Sequence, residues 1–194
     1  MCCVWEDYEN LDYWSARLRC LHLDIPCITS ASVSLLRGGL ASLMSLQTLH
    51  LSCGFQNNKI SAIRDILHGC TNDVLQTFAL CYKNSRMGEG DVVAIFSAFP
   101  RLQSLSLAAQ KLQRPIDVYR RLVSSLRKSR IRTVTIDTPM KPLHAIILRG
   151  EMERLDPGRS TLRELHLTSK RPTMVDSIIR PRVPNGCNLV VKRR

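Results

Sequence analysis

Aromatic residues are scarce in this chain: two Trp, four Tyr and four Phe make up 5% of 194 residues, against 44% hydrophobic residues overall. A core with so few large rings must be filled by Leu, Ile, Val and Ala, which suits a repetitive architecture. No two of the eight cysteines, at positions 2, 3, 20, 27, 53, 70, 81 and 187, have C-x-x-C spacing. Zinc-ribbon and thioredoxin-like readings therefore have no support. No apolar run approaches the roughly 18 residues of a membrane span. The N-terminal Met1-Cys2-Cys3-Val4-Trp5-Glu6-Asp7 has neither the basic start nor the apolar stretch of a secretory leader. Scattered cysteines without a leader point to reduced thiols in the cytoplasm or nucleus.

Acidic residues run short in one half only. Residues 1–97 carry 7 Lys/Arg and 9 Asp/Glu, a balance of −2, whereas residues 98–194 carry 21 and 7, a balance of +14. The whole chain is +12. Two readings of the basic half stay open: a surface that meets an acidic partner, or a plain solvated face.

What the chain has is a repeat. The pattern L-x-x-L-x-L begins at Leu18, Leu46, Leu75, Leu102, Ile131 and Leu162, with gaps of 28, 29, 27, 29 and 31 residues. Side chains alternate along a strand, so positions four and six of each copy point to one side, into a core. About 28 residues hold a short strand, a loop, three helical turns and a return, as a parallel crossover requires. Apolar stripes between the strands predict helices at Val33-Leu36-Leu40-Leu43, Ile60-Ile63-Ile66-Leu67, Val92-Val93-Ile95-Phe96-Phe99, Val118-Leu122-Val123-Leu126 and Leu143-Ile146-Ile147. Asp117 is expected to cap the fourth of these, and Pro142 to open the fifth. Gly88-Glu89-Gly90-Asp91 is expected to be a loop capped by Asp91, since its acids would repel a phosphate. Asp156-Pro157-Gly158 predicts a turn ahead of the sixth strand.

Repeats of this length, such as Phe99-Pro100-Arg101-Leu102-Gln103-Ser104-Leu105-Ser106-Leu107, resemble ribonuclease-inhibitor-type leucine-rich repeats, including those of F-box-associated proteins. The resemblance covers about residues 18–170. It implies an α/β solenoid: a right-handed curved stack with a parallel sheet on the concave face and helices on the convex face. It departs from the family where Asn or Cys usually follows the third leucine by three residues. Here stand Pro26, Gly54, Lys83, Gln110, Met140 (one residue late) and Lys170, which predicts irregular loops. The expected organisation is an N-terminal cap over 1–17, repeats over 18–170, and a C-terminal cap with a basic tail over 171–194. Trp5, Tyr8, Leu11, Tyr13 and Trp14 supply the first cap. Pro172, Pro181 and Pro184 argue against a regular helix near the other end, where Leu189-Val190-Val191 reads as a last strand.

The strand positions between the leucines form the expected protein-binding face. Position three gives Cys20, Thr48, Thr77, Ser104, Thr133 and Glu164. Position five gives His22, His50, Ala79, Ser106, Thr135 and His166. Position seven gives Asp24, Ser52, Cys81, Ala108, Asp137 and Thr168. The surface is small, polar and nearly neutral, as a protein-recognition face is. His22 beside His50, with Cys20 and Asp24, offers metal-ligand types, but strand periodicity places equivalent residues side by side without a metal. Cys81 with His50 suggests a thiol and its base, yet no orienting group or oxyanion donor accompanies them. No catalytic residue, metal or cofactor is therefore expected. A separate basic patch for nucleic acid or an acidic partner is expected from Arg120, Arg121, Arg127, Lys128, Arg130, Arg132 and Arg163.

The reading is a monomeric, non-catalytic protein-interaction scaffold, similar to the substrate-recognition part of an F-box-like protein, with no membrane partner. The alternative is an RNA- or ribonucleoprotein-associated scaffold that uses the basic half for weak, sequence-independent binding.

Overall fold

The structure, a computed structural model, describes residues 17–55, 62–155 and 160–193. The expected aromatic cap, Ile60 and the Asp156-Pro157-Gly158 turn lie outside them. The chain alternates strand and helix throughout: β1 (Cys20–Ile28), α1 (Ser30–Ser42), β2 (Thr48–Phe55), α2 (Ala62–Leu67), β3 (Thr77–Met87), α3 (Glu89–Ala98), β4 (Ser104–Leu112) and α4 (Pro115–Leu126). There follow β5 (Thr133–Asp137), α5 (Pro142–Met152), β6 (Glu164–Ser169), α6 (Pro172–Ile179), a 3₁₀ turn at Arg180–Arg182 and β7 (Asn188–Arg193). The seven strands form one sheet in chain order. Every neighbouring pair is parallel.

The leucine spacing sets this register. Leu21, Leu49, Phe78, Leu105, Val134, Leu165 and Leu189 form one continuous row across the sheet. All of them are buried. Position six adds Leu51, Leu80, Leu107, Ile136 and Leu167, also buried. Helices supply the other side of this core, with Val92 and Ile95, Val118 and Leu122, Ala145 and Leu148, and Val175 and Ile179. Each such side chain contributes about 1.5–3 kcal/mol by leaving water. A one-residue slip of any strand would turn its row outward, so burial fixes the register.

Hydrogen bonds repeat with the same period. The carbonyls of Arg19, Gln47, Gln76, Gln103 and Arg132 each accept two backbone N–H groups from the next strand's entrance, at 2.7–3.1 Å. Side chains satisfy the loops where the resemblance would place Asn. Ser169 Oγ donates to the Met140 carbonyl at 2.9 Å and accepts from the Arg171 N–H. At the opposite, entrance side of the strands, the Thr161 hydroxyl donates to the Ile131 carbonyl at 2.8 Å. Irregularity is real in the first half: register shifts occur between Ile25 and Ile28 and between Tyr82 and Arg86. A Cβ at Gly54 would lie 2.3 Å from the Pro26 carbonyl oxygen, so only glycine lets β1 and β2 approach there.

Three local expectations are corrected. α4 starts at Pro115 with Arg114 as its N-cap, so Asp117 sits in the first turn and caps nothing. Proline fixes the first helical φ and has no N–H to satisfy, and this overrides the weaker Asp signal. Gly88-Glu89-Gly90-Asp91 is a helix start rather than a loop: Gly88 is the N-cap of α3, and the Asp91 carboxylate reaches back to its N–H at 2.8 Å. Pro172 opens α6 instead of preventing a helix, again as first helical residue. Pro142 opens α5 as expected. Among the described residues no helix is long and apolar enough to cross a membrane.

Candidate binding surface on the open face of the sheet

Alternation turns the odd motif positions to the sheet face opposite the buried leucine rows. The three predicted rows stand on it in register. Position three runs Cys20–Thr48–Thr77–Ser104–Thr133–Glu164, and position five runs His22–His50–Ala79–Ser106–Thr135–His166. Asn188 and Val190 of β7 extend these rows. Their side chains are half-buried or exposed, in contrast to the buried rows between them.

At the β1 end, His22 and His50 stack with ring centroids 4.0 Å apart and planes inclined by 23°. Burial, aided by the neighbouring His22, holds the His50 imidazole below its ordinary value, so the neutral ring is favoured. Beyond them Lys83 of β3 reaches over β2 to Asp24 of β1, Nζ to Oδ1 at 2.6 Å. This hydrogen bond lowers the Asp24 carboxyl. At the other end Glu164 and His166 approach to 3.2 Å. A groove of about 930 Å³ is lined by His22, His50, Ala79 and Ser106, together with Leu36 and Leu40 of α1.

Cys81 pairs with Ser52 in the sheet, and no hydrogen bond links its thiol to His50. Among the described residues, no group of three or more His, Cys, Asp or Glu is placed to hold a metal ion. Cys20, Cys27, Cys53, Cys70, Cys81 and Cys187 are all free thiols. Burial pushes the Cys53 thiol up to about 12, which makes it unreactive.

The predicted basic patch divides in two. Arg120 meets Glu151 of α5 at 3.3 Å, and Arg121 meets Glu89 of α3 at 2.6 Å. Arg127 donates to the Arg154 carbonyl. Glu151 is 8% exposed and also binds Arg154 at 3.0 Å. These arginines tie neighbouring helices together. Lys128, Arg130, Arg132 and Arg163 are exposed at the strand entrances with no ion-pair partner among the described residues.

A second group of cations escaped the sequence reading, at the strand exits. Arg114, Lys141 and Arg171 are the N-cap residues of α4, α5 and α6, each followed by proline. The repeated basic-residue–proline pair was the available signal. No protein-family model matches the chain, and no curated protein matches it in sequence.

Proposed function

We propose that the chain is a leucine-rich-repeat protein of the ribonuclease-inhibitor type, a right-handed curved stack with its strands on the concave side. On this reading it is a non-catalytic scaffold that grips a protein partner on the open face, as the substrate-recognition part of an F-box-like protein does. The observation that carries the proposal is that face itself. Small polar side chains stand there in register across the sheet, bordered at the β1 end by α1. His22, Thr48, His50, Thr77, Ser104, Ser106, Thr133, Thr135, Glu164 and His166 are its contact residues. Such a surface gains affinity from shape and from a few anchors, not from charge.

The free thiols among the described residues fit a reducing compartment, the cytoplasm or nucleus. An RNA-associated scaffold draws on the +14 half, but the ion pairs of Arg120 and Arg121 remove charge from the patch that reading needs. Affinity capture from a cell extract, with and without nuclease, tests the proposal. Partners held by the open face survive nuclease and are lost from a Ser106→Arg/Thr135→Arg variant. Partners that vanish with nuclease alone would overturn it.

A further inference from the structure

The strand exits of β3–β7 and the starts of α4–α6 share one rim, because each strand passes directly into its helix. Cations crowd it. Arg86 and Lys111 are direct register partners, an arrangement that destabilises a sheet when charges are alike. Lys170 follows β6, and Lys192 lies near the end of the last strand opposite Thr168. Arg114, Lys141 and Arg171 precede the three helices. All of these are exposed and none has an ion-pair partner among the described residues. The carboxylates on the same elements are engaged elsewhere. Asp137 accepts from Thr168 at 2.9 Å, Glu89 is held by Arg121 at 2.6 Å, and Asp176 by Arg180 at 2.6 Å. Asp117 faces Arg120 at 3.9 Å.

This placement opposes local stability. A helix start carries about half a positive charge from its aligned peptide dipoles, so acids stabilise it and cations do not. Yet three helices in succession are preceded by a cation, none receives a side-chain cap, and α5 and α6 have no acid in the first turn. Arg114 even adopts φ 47°, the one left-handed non-glycine backbone among the described residues. A local rule broken repeatedly at one edge marks a contact made with something outside the chain. A surface of negative charge removes the cost.

The same first turns expose aliphatic side chains: Ile116 at 47%, Leu143 at 64% and Met174 at 44%. The helices that bear them are packed side by side in order, so an exposed aliphatic side chain recurs beside each cationic helix start. A nucleic-acid backbone would use the cations but gain nothing from Ile, Leu and Met. Stacking on bases needs exposed aromatics, and the tyrosine of α4, Tyr119, is buried. Cations beside protruding aliphatics fit a bilayer with anionic headgroups, where charge attracts and apolar side chains enter the interface.

Against the sequence-based expectation of no membrane partner, we propose that this strand-exit rim is a peripheral docking surface for an anionic lipid bilayer. Sedimentation of the full chain with phosphatidylcholine vesicles, with and without phosphatidylserine, tests it. Binding requires phosphatidylserine and weakens steeply with salt. Each cation neutralised lowers partitioning by roughly fivefold, so Lys111→Gln, Arg114→Gln, Lys141→Gln and Arg171→Gln together lower it several-hundredfold. Ile116→Ser/Leu143→Ser/Met174→Ser lowers vesicle binding at least tenfold and leaves retention on RNA unchanged. Lys128→Gln/Arg130→Gln, at the opposite rim, leaves vesicle binding as it is. All these positions are exposed, and unchanged melting curves confirm intact folding. Equal binding to both vesicle types, no binding to either, or an aliphatic variant that binds like the parent overturns the proposal. Tighter retention on RNA than on phosphatidylserine vesicles assigns the rim to nucleic acid and overturns it as well.

Discussion

His22 and His50 occupy equivalent positions on adjacent parallel strands and stack with ring centroids 4.0 Å apart. Two cationic rings at that distance repel, so the stack persists only while at least one ring is neutral. The His50 imidazole is held below its ordinary 6.5, first by burial and then by His22. A depressed imidazole binds fewer protons folded than unfolded, so this site's contribution to stability is full above pH 6.5. It is lost as pH falls through the folded value. Proton NMR titration should therefore place the His50 midpoint below 6.5. In His22→Ala the midpoint should rise part of the way only, because burial remains. An unchanged midpoint would mean the two rings do not interact in solution.

Asn72 ties down the return loop that leads into β3. Its carboxamide donates to the Leu43 carbonyl at 3.0 Å and accepts from the N–H groups of Val74 and Leu75 at 2.8 and 2.9 Å. Asn72→Ala strands buried backbone groups and should cost about 1–3 kcal/mol. Urea denaturation measures this, and a loss below about 0.5 kcal/mol counts against the network.

Asp91 is 2% exposed, and burial raises its carboxyl above the ordinary value. Ionisation at neutral pH therefore opposes folding, and stability is lost as pH rises through the folded value. Asp91→Asn keeps an oxygen for the Gly88 N–H and removes the charge. Its melting temperature should exceed the parent's at pH 7 and converge with it in acid. A lower value at pH 7 would show that the ionised carboxylate is itself required.

Leu105 and Ser106 are neighbours on β4 that face opposite ways. Leu105 is buried to 1% exposure, whereas Ser106 stands on the open face. Leu105→Ala should cost about 2–5 kcal/mol, and Ser106→Ala no more than about 0.5 kcal/mol. Equal losses would refute the assignment of the two faces.

These pairs show what local pattern carries and what it does not. The L-x-x-L-x-L copies place six strands and all three open-face rows, because burial of one side fixes both the phase and the register of a strand. Leu189-Val190-Val191 extends the same logic to β7. Helix starts were harder: Asp117 and Asp91 look like caps, but Pro115 and the reach of Asp91 to Gly88 decide where the chain turns. The pairing of Arg120 with Glu151 and Arg121 with Glu89 joins residues 31 and 32 apart in sequence. That depends on the relative rotation of neighbouring helices, which no local window encodes. The strand-exit cations gather instead through strand register, from the five strands β3–β7, and the repeated basic-residue–proline pair was their signal in the sequence.

Recognition is assigned to the open face of the sheet. Site-specific photocrosslinking tests it, with a benzophenone amino acid placed either at Thr135 of the open face or at Ser124, exposed on α4. Position 135 should give a single protein adduct, resistant to nuclease, and position 124 none of that mass. Adducts from position 124 alone would contradict it and place the partner on the helices.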